Sequence, residues 1–296
     1  MIQIYEVGLR DGLQSHHEPV PTDAKVELVE RLSEAGLPYI EVGSFISPKA
    51  GQMFENLKDT VEVYQQASKR DGVVYSALVP TLEYFMQAKE AGFRHVAVVV
   101  SANEEHNRKN LGRGIKETLM GIRRIKAVAA DNGIKVRPYV STAFGYKKLS
   151  DVEPDDLSHI VASVGSRNGV DGPETPFPDV DNVSLGDTFG LARYGHVEAV
   201  STMCIKRFLV KPPKIALHFH QVNPDVWKPN MSAAIDSGIG LFDASLCGLG
   251  GCPTDAHMGN IPTGQLVDYL EDNNIDTGLD ADKIHQAAEF LKKFIS

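Results

Sequence analysis

Apolar residues alternate along this chain between two rhythms. Short, nearly continuous apolar runs predict buried strands over residues 2–7, 39–42, 73–79, 95–100, 135–140, 182–185, 214–220 and 241–246. Between them, apolar positions recur every three or four residues. That spacing predicts amphipathic helices over 22–35, 81–91, 115–131, 154–164, 190–207 and 230–237, with a terminal helix over 280–294. Glycine closes several of these stretches, as at Ala35-Gly36, Ala91-Gly92, Asn132-Gly133 and Ser237-Gly238. A strand–helix unit repeated eight times predicts an α/β fold, a (β/α)8 TIM barrel with a C-terminal helix, as one catalytic domain over residues 1–296. A doubly wound open sheet is the alternative. It would more often carry a glycine-rich phosphate loop after an early strand, and Gly8-Leu9-Arg10-Asp11-Gly12 is not that loop. The least regular stretch, 165–181, precedes a strand. It is expected on the side of the barrel away from the chemistry, as a surface or oligomer-contact loop compatible with a homodimer.

Composition narrows the function classes. Hydrophobic content of 42% with 23% charged residues is ordinary for a soluble globular chain. A net charge of −9 argues against nucleic acid as a partner, and no apolar run approaches the ~20 residues of a membrane span. The strand-like start predicts no signal peptide. Three cysteines, Cys204, Cys247 and Cys252, are odd in number and lack zinc-cluster spacing, which favours a reducing, cytoplasmic compartment. Cys204 is expected to pack on a helix face and Cys247 on a strand.

The chemistry starts at His218-Phe219-His220. Alternate residues of a strand share a face, so both imidazoles leave the end of one strand together, as a metal-binding pair requires. Two hydrogen-bonded core histidines would look the same at this level. The remaining polar residues favour a site, because they recur at the C-terminal ends of predicted strands, where barrel enzymes place their chemistry. Arg10, Asp11 and Gln14 follow the first strand, and Glu41 lies on the second. Ser141 ends the fifth strand, Asp187 the sixth, and Asn260 lies beyond the eighth. A carboxylate, two imidazoles and an amide suit Mg²⁺ or Mn²⁺, and the imidazoles also accommodate Zn²⁺ or Co²⁺. Such an ion activates a substrate hydroxyl and carbonyl, and Arg10 beside it suits a developing enolate. The pattern indicates metal-assisted C–C bond chemistry next to a carbonyl.

Five motifs carry a resemblance: Glu6-Val-Gly-Leu-Arg-Asp-Gly-Leu-Gln14, Glu41-Val-Gly-Ser-Phe-Ile-Ser-Pro-Lys49, Ser184-Leu-Gly-Asp-Thr-Phe-Gly190, His218-Phe-His220, and Gly248-Leu-Gly-Gly-Cys-Pro253 with Gly259-Asn260. In this order, over about residues 2–270, the chain resembles the 3-hydroxy-3-methylglutaryl-CoA lyase family of metal-dependent TIM barrels. The resemblance implies that Asp11, His218, His220 and Asn260 hold a divalent metal and that Arg10 stabilises the enolate of departing acetyl-CoA. It implies that Cys252 acts in proton transfer, with Glu41 and Asp187 orienting groups or relaying protons near the substrate hydroxyl. The reaction is then a retro-Claisen cleavage of a 3-hydroxy-acyl-CoA to acetyl-CoA and a keto acid. Gln14, Lys49, Ser141 and Lys109 are expected to bind substrate. Lys109 belongs to a basic set with Arg108, Arg113, Lys147 and Lys148 that suits a CoA phosphate.

The chain also departs from that family. Gln221 follows His220 where an acid is usual, Pro224 and Trp227 reshape the next segment, and Ser141-Thr-Ala-Phe-Gly-Tyr-Lys-Lys replaces a cysteine-containing stretch. A related acyl substituent fits this pattern as well as the family's own substrate does. A Claisen-type condensing enzyme is the second reading, and a non-catalytic barrel that binds metal or acyl-CoA is the third.

Overall fold

A computed structural model describes residues 1–47, 52–165, 180–208, 214–251 and 259–295. Eight strands form a closed parallel barrel in sequence order: β1 (Gln3–Glu6), β2 (Tyr39–Ser44), β3 (Val74–Leu78), β4 (His95–Ser101), β5 (Lys135–Ser141), β6 (Val183–Asp187), β7 (Ile215–Phe219) and β8 (Leu241–Ala244). Tyr5 pairs with Tyr39 on one side and Asp243 on the other, so β1 joins both β2 and β8. Helices cover the outside: α1 (Thr22–Glu34), α2 (Thr60–Gln66), α3 (Leu82–Glu90), α4 (Glu104–Leu111), α5 (Ile115–Asp131), α6 (Pro154–Gly165), α7 (Tyr194–Phe208), α8 (Pro224–Asp236), α9 (Thr263–Asp272) and the C-terminal α10 (Ala281–Lys292). Each strand lies within a few residues of its predicted span. Among the described residues, no helix is long and apolar enough to cross a membrane.

Three helices were not expected, and each has a reason. The sequence of α4, EEHNRKNL, offers no apolar stripe. It is held by the Asn103 side chain capping the His106 amide and by the i,i+4 pairs Glu104–Arg108 and Glu105–Lys109. The second, α2, is only seven residues long, and α9 follows the eighth strand's long loop directly. Helix α8 begins at Pro224 rather than 230, with Asn223 as its cap and proline at the first position. Pro229 inside it disguises the helix as a break. Cys204 is fully buried on α7, as expected. Cys247 is not on a strand; it lies in the turn after β8 with a left-handed φ of 61°.

The barrel interior carries a charged layer beneath the site. Arg137 on β5 stacks 3.9 Å from the Tyr5 ring centroid and 4.5 Å from that of Tyr139. Its guanidinium donates to Asp243 on β8 at 2.5 Å and to Asn182 at 2.7 Å. A buried guanidinium is tolerable only with such partners, since breaking a buried pair costs roughly 3–5 kcal/mol.

Candidate active site

The first strand ends in a single wide turn, Gly8–Gly12, in which the amides of Asp11 and Gly12 both reach the Val7 carbonyl, at 2.7 and 3.2 Å. Wide turns of this kind recur at functional sites because they re-aim one or two side chains. Here the turn delivers Arg10 and Asp11 to the mouth of the barrel. Glu6, at the strand end below, accepts from the Gly8 amide at 2.7 Å, the Leu246 amide at 2.8 Å and the Thr263 hydroxyl at 2.5 Å. One buried carboxyl thereby ties the turns after β1 and β8 to the start of α9. Burial pushes the Glu6 carboxyl up to about 7, against these hydrogen bonds.

Asp11, His218 and His220 converge as predicted: one ligand atom from each lies within 4.8 Å of the others. The imidazole protons can be placed from the partners. His220 Nδ1 faces the Thr188 carbonyl at 3.2 Å, which can only accept, and His218 Nδ1 faces Asp243 Oδ2 at 3.0 Å. Both Nδ1 atoms therefore carry hydrogen. In the uncharged rings the two Nε2 lone pairs face one another across 2.8 Å, with Asp11 Oδ2 at 3.7 and 3.4 Å. Opposed lone pairs repel unless a cation lies among them, so this donor set fits a divalent metal. Burial alone would raise the Asp11 carboxyl, but the Arg10 guanidinium, together with His220 and His218, holds it well below the usual carboxylate range.

Asn260 sits beside this trio in a different pose from the one expected of a ligand. Its Nδ2 donates to Asp11 Oδ2 at 2.7 Å and to the Leu249 carbonyl at 2.8 Å. Its Oδ1 is buried with no hydrogen-bond partner.

Arg10 is clamped on both sides. Nε donates to Glu41 Oε2 at 2.6 Å and Nη1 to Asp11 Oδ1 at 2.5 Å. Glu41 is fully buried, and the same oxygen accepts from the Tyr139 hydroxyl at 2.9 Å. Glu41 therefore orients Arg10 and Tyr139. A cavity of about 200 Å³ opens above, lined by Arg10, Asp11, Gln14, Tyr139, Ser141 and both histidines, with an apolar wall that includes Leu78, Val99 and Leu111.

Other expected residues stand elsewhere. The Asp187 carboxylate accepts from the Leu191 and Ala192 amides and from Gln221 Nε2 at 2.7 Å. It fixes the 187–192 turn, which carries the Thr188 carbonyl to His220, and it does not line the cavity. Burial raises it to about 6. Gln221 bridges Asp187 and Asn230, whose Nδ2 donates to its Oε1 at 2.9 Å, and it bonds to neither imidazole Nε2. Lys109 is exposed on α4, bonded to Glu105 at 2.9 Å and the Tyr146 hydroxyl at 3.0 Å, away from the cavity lining. Lys147 shares Glu105 with it. Lys49, Cys252 and most of 165–181 lie outside the described residues.

Four participants escaped the sequence reading. Arg137 and Tyr139 precede Ser141 at two-residue spacing on β5, so a strand with one barrel-facing residue already placed her neighbours on the same face. Asp243 was a lone carboxylate in an apolar strand, which calls for a buried partner. His106, on the polar helix α4, had no such signal.

A family model described as HMGL-like matches residues 1–291. A hydroxymethylglutaryl-CoA lyase of Bacillus subtilis is 33% identical over 293 residues, covering 99% of this chain and 92% of its own length. A 3-hydroxy-3-isohexenylglutaryl-CoA/hydroxymethylglutaryl-CoA lyase of Pseudomonas aeruginosa is also 33% identical, over 97% of this chain and 91% of its own. The structure of an HMG-CoA lyase from Acinetobacter baumannii in complex with coenzyme A and 3-methylmalate superposes with a TM-score of 0.87 at 30% identity, covering 100% of this chain and 91% of that one.

Proposed function

Because this chain belongs to the HMGL-like family, we propose that it is a divalent-metal-dependent carbon–carbon lyase. It cleaves 3-hydroxy-3-methylglutaryl-CoA, or a close 3-hydroxy-acyl-CoA analogue, to acetyl-CoA and a keto acid such as acetoacetate. The observation that carries this reading is the meeting of Asp11, His218 and His220 with the clamped Arg10 on one cavity.

Asp11, His218 and His220 would hold the ion, with Asn260 proposed as the fourth donor because its buried Oδ1 lacks a partner. When bound, a divalent ion supplies Lewis-acid polarisation of the substrate's hydroxyl and carbonyl oxygens. Mg²⁺ or Mn²⁺ is the proposed occupant, with Zn²⁺ and Co²⁺ as the imidazole-tolerant alternatives. Arg10 keeps donors free of its Glu41 and Asp11 contacts and turns them toward the enolate oxygen that develops as the C2–C3 bond breaks. Glu41 prevents that guanidinium from swinging away. Asp187 acts at one remove, by fixing the turn whose Thr188 carbonyl sets the His220 ring. Gln14 and Ser141 line the substrate cavity, and Cys252 and Lys49 retain their proposed roles in proton transfer and substrate binding. A cytoplasmic location and a homodimer belong to the same proposal.

The test is an assay of purified protein with Mg²⁺ or Mn²⁺ on 3-hydroxy-acyl-CoA thioesters. Acetyl-CoA is expected to accumulate and EDTA to stop it. No acyl-CoA product, together with indifference to EDTA, overturns the proposal.

A further inference from the structure

The cavity also holds a polar relay of which the lyase chemistry above uses only the Ser141 end. His106, on the inner face of α4, lines the cavity together with Ser141 at the end of β5. Ser101, at the end of β4, joins them: its Oγ lies 2.6 Å from His106 Nδ1 and 2.9 Å from Ser141 Oγ. The three groups form one hydrogen-bonded chain with both ends in the same cavity. His106 lines this cavity, and its Nε2 has no hydrogen-bond partner among the described residues. The ring is held from outside by Phe189, edge-on with centroids 5.4 Å apart, and by Tyr146. It is 9% exposed.

Proton bookkeeping gives this chain two states. If Ser101 donates to Nδ1, then Ser141 donates to Ser101 and His106 Nε2 carries a hydrogen toward the cavity. If Nδ1 donates to Ser101, then Ser101 donates to Ser141 and Nε2 offers a lone pair. Burial, with Lys109 nearby, lowers the imidazole to about 4, so it is uncharged at neutral pH in either state. An uncharged group of this kind pairs poorly with phosphate and well with a hydroxyl or carbonyl. The cavity wall also includes the apolar Leu78, Val99 and Leu111. A wholly apolar substituent there leaves Nε2 unpaired and desolvated, which is costly.

We propose that His106, oriented by Ser101, is a specificity-determining residue that selects 3-hydroxy-acyl-CoA substrates bearing a hydroxyl or carbonyl on the C3 substituent over those with a plain alkyl group. This rests on the lyase reading above. The reaction is otherwise the same: the C3 hydroxyl loses its proton, the C2–C3 bond breaks, its electron pair passes to the thioester enolate, and C2 is protonated. A hydroxymethyl substituent yields acetyl-CoA and 4-hydroxyacetoacetate.

The matched pair 3-hydroxy-3-methylglutaryl-CoA and 3-hydroxy-3-(hydroxymethyl)glutaryl-CoA tests it, through the ratio of their kcat/KM values. The wild-type ratio is expected to favour the hydroxymethyl substrate by about tenfold or more, because a site built to bond a hydroxyl rejects the analogue lacking it. His106→Phe is expected to lower that ratio at least tenfold, and His106→Gln to restore part of it. Ser101→Ala, which keeps the ring but frees its orientation, is expected to lower the ratio too, and it reads the same quantity should His106→Phe not fold. A wild-type preference for the methyl substrate overturns the proposal. So does an equal rise in KM for both substrates in His106→Phe, which would place the imidazole against the CoA portion. In both cases cleavage persists, so the lyase reading survives; if neither substrate is cleaved, both fall together.

Discussion

Asp243 Oδ2 lies 3.0 Å from His218 Nδ1, while its other oxygen takes the Arg137 guanidinium at 2.5 Å. The carboxylate also accepts from the Ser184 hydroxyl at 2.9 Å. Burial opposes its charge, but Arg137 and His218 together hold Asp243 below its ordinary pKa. The imidazole is thereby locked with its Nε2 lone pair toward Asp11 and His220.

Asp243→Asn is expected to weaken divalent-metal binding by about 10–100-fold, the usual consequence of losing a partner that orients a ligand. Calorimetric titration with Mn²⁺ measures it. The variant also leaves Arg137 without a counter-charge, so a lower Tm is expected. An unchanged Mn²⁺ affinity would mean that the Asp243 contact does not set the ring.

Arg10→Met is expected to keep the metal and lose roughly 10²–10³-fold in kcat, as when one oxyanion donor is removed. Glu41 then retains only Tyr139 of the two donors described. Tyr139→Phe should cost less, because Arg10 still holds the carboxylate. Wild-type turnover in Arg10→Met, with metal bound, rules out the enolate role.

Gly250 has a φ of 120°, and a Cβ built there would lie 2.1 Å from Asn260 Nδ2 and 3.0 Å from Asp11 Oδ2. Gly250→Ala therefore strains the backbone and displaces Asn260 from Asp11. The expected result is a folded protein by circular dichroism with at least tenfold weaker metal binding. Normal binding in that variant would show that Asn260 can leave its place without consequence for the ion.

Glu6 makes stability depend on pH. Its folded pKa, raised to about 7, exceeds the ordinary carboxyl value of 4.5, so the folded chain holds a proton that the unfolded chain has lost. This contribution is fully present below about pH 4.5 and is lost as pH rises through 7. The amplitude is on the order of 1–3 kcal/mol. Urea melts of wild type and Glu6→Gln between pH 5 and 8 should show a wild-type decline that the variant lacks over that interval. Parallel profiles would remove Glu6 as the cause.

The barrel was legible because strands covered on both faces must be apolar throughout, and the intervening helices repeat every three to four residues. The convergence of Asp11, His218 and His220 was legible for a similar reason, since strand ends fix where side chains point. What lay beyond reach depended on pairing across the barrel. Arg137 meets Asp243 over a separation of 106 residues, and nothing in either neighbourhood names the other. The polar helix α4 was hidden because its stability comes from caps and charge pairs rather than an apolar stripe. Asp187 shows the opposite error: a carboxylate on the right rim turned inward to backbone amides, as a turn-forming aspartate does.

Glu6 and Leu246 are joined across 240 positions, and Asp11 meets Asn260 across 249. The turn that carries Asp11 is thus held by residues that lie beyond β8. Pairing of β8 with β1 closes the ring of strands, and contacts so far apart in sequence are the slow ones to form. The pocket that Asp11, His218 and His220 share is therefore complete only in the closed barrel.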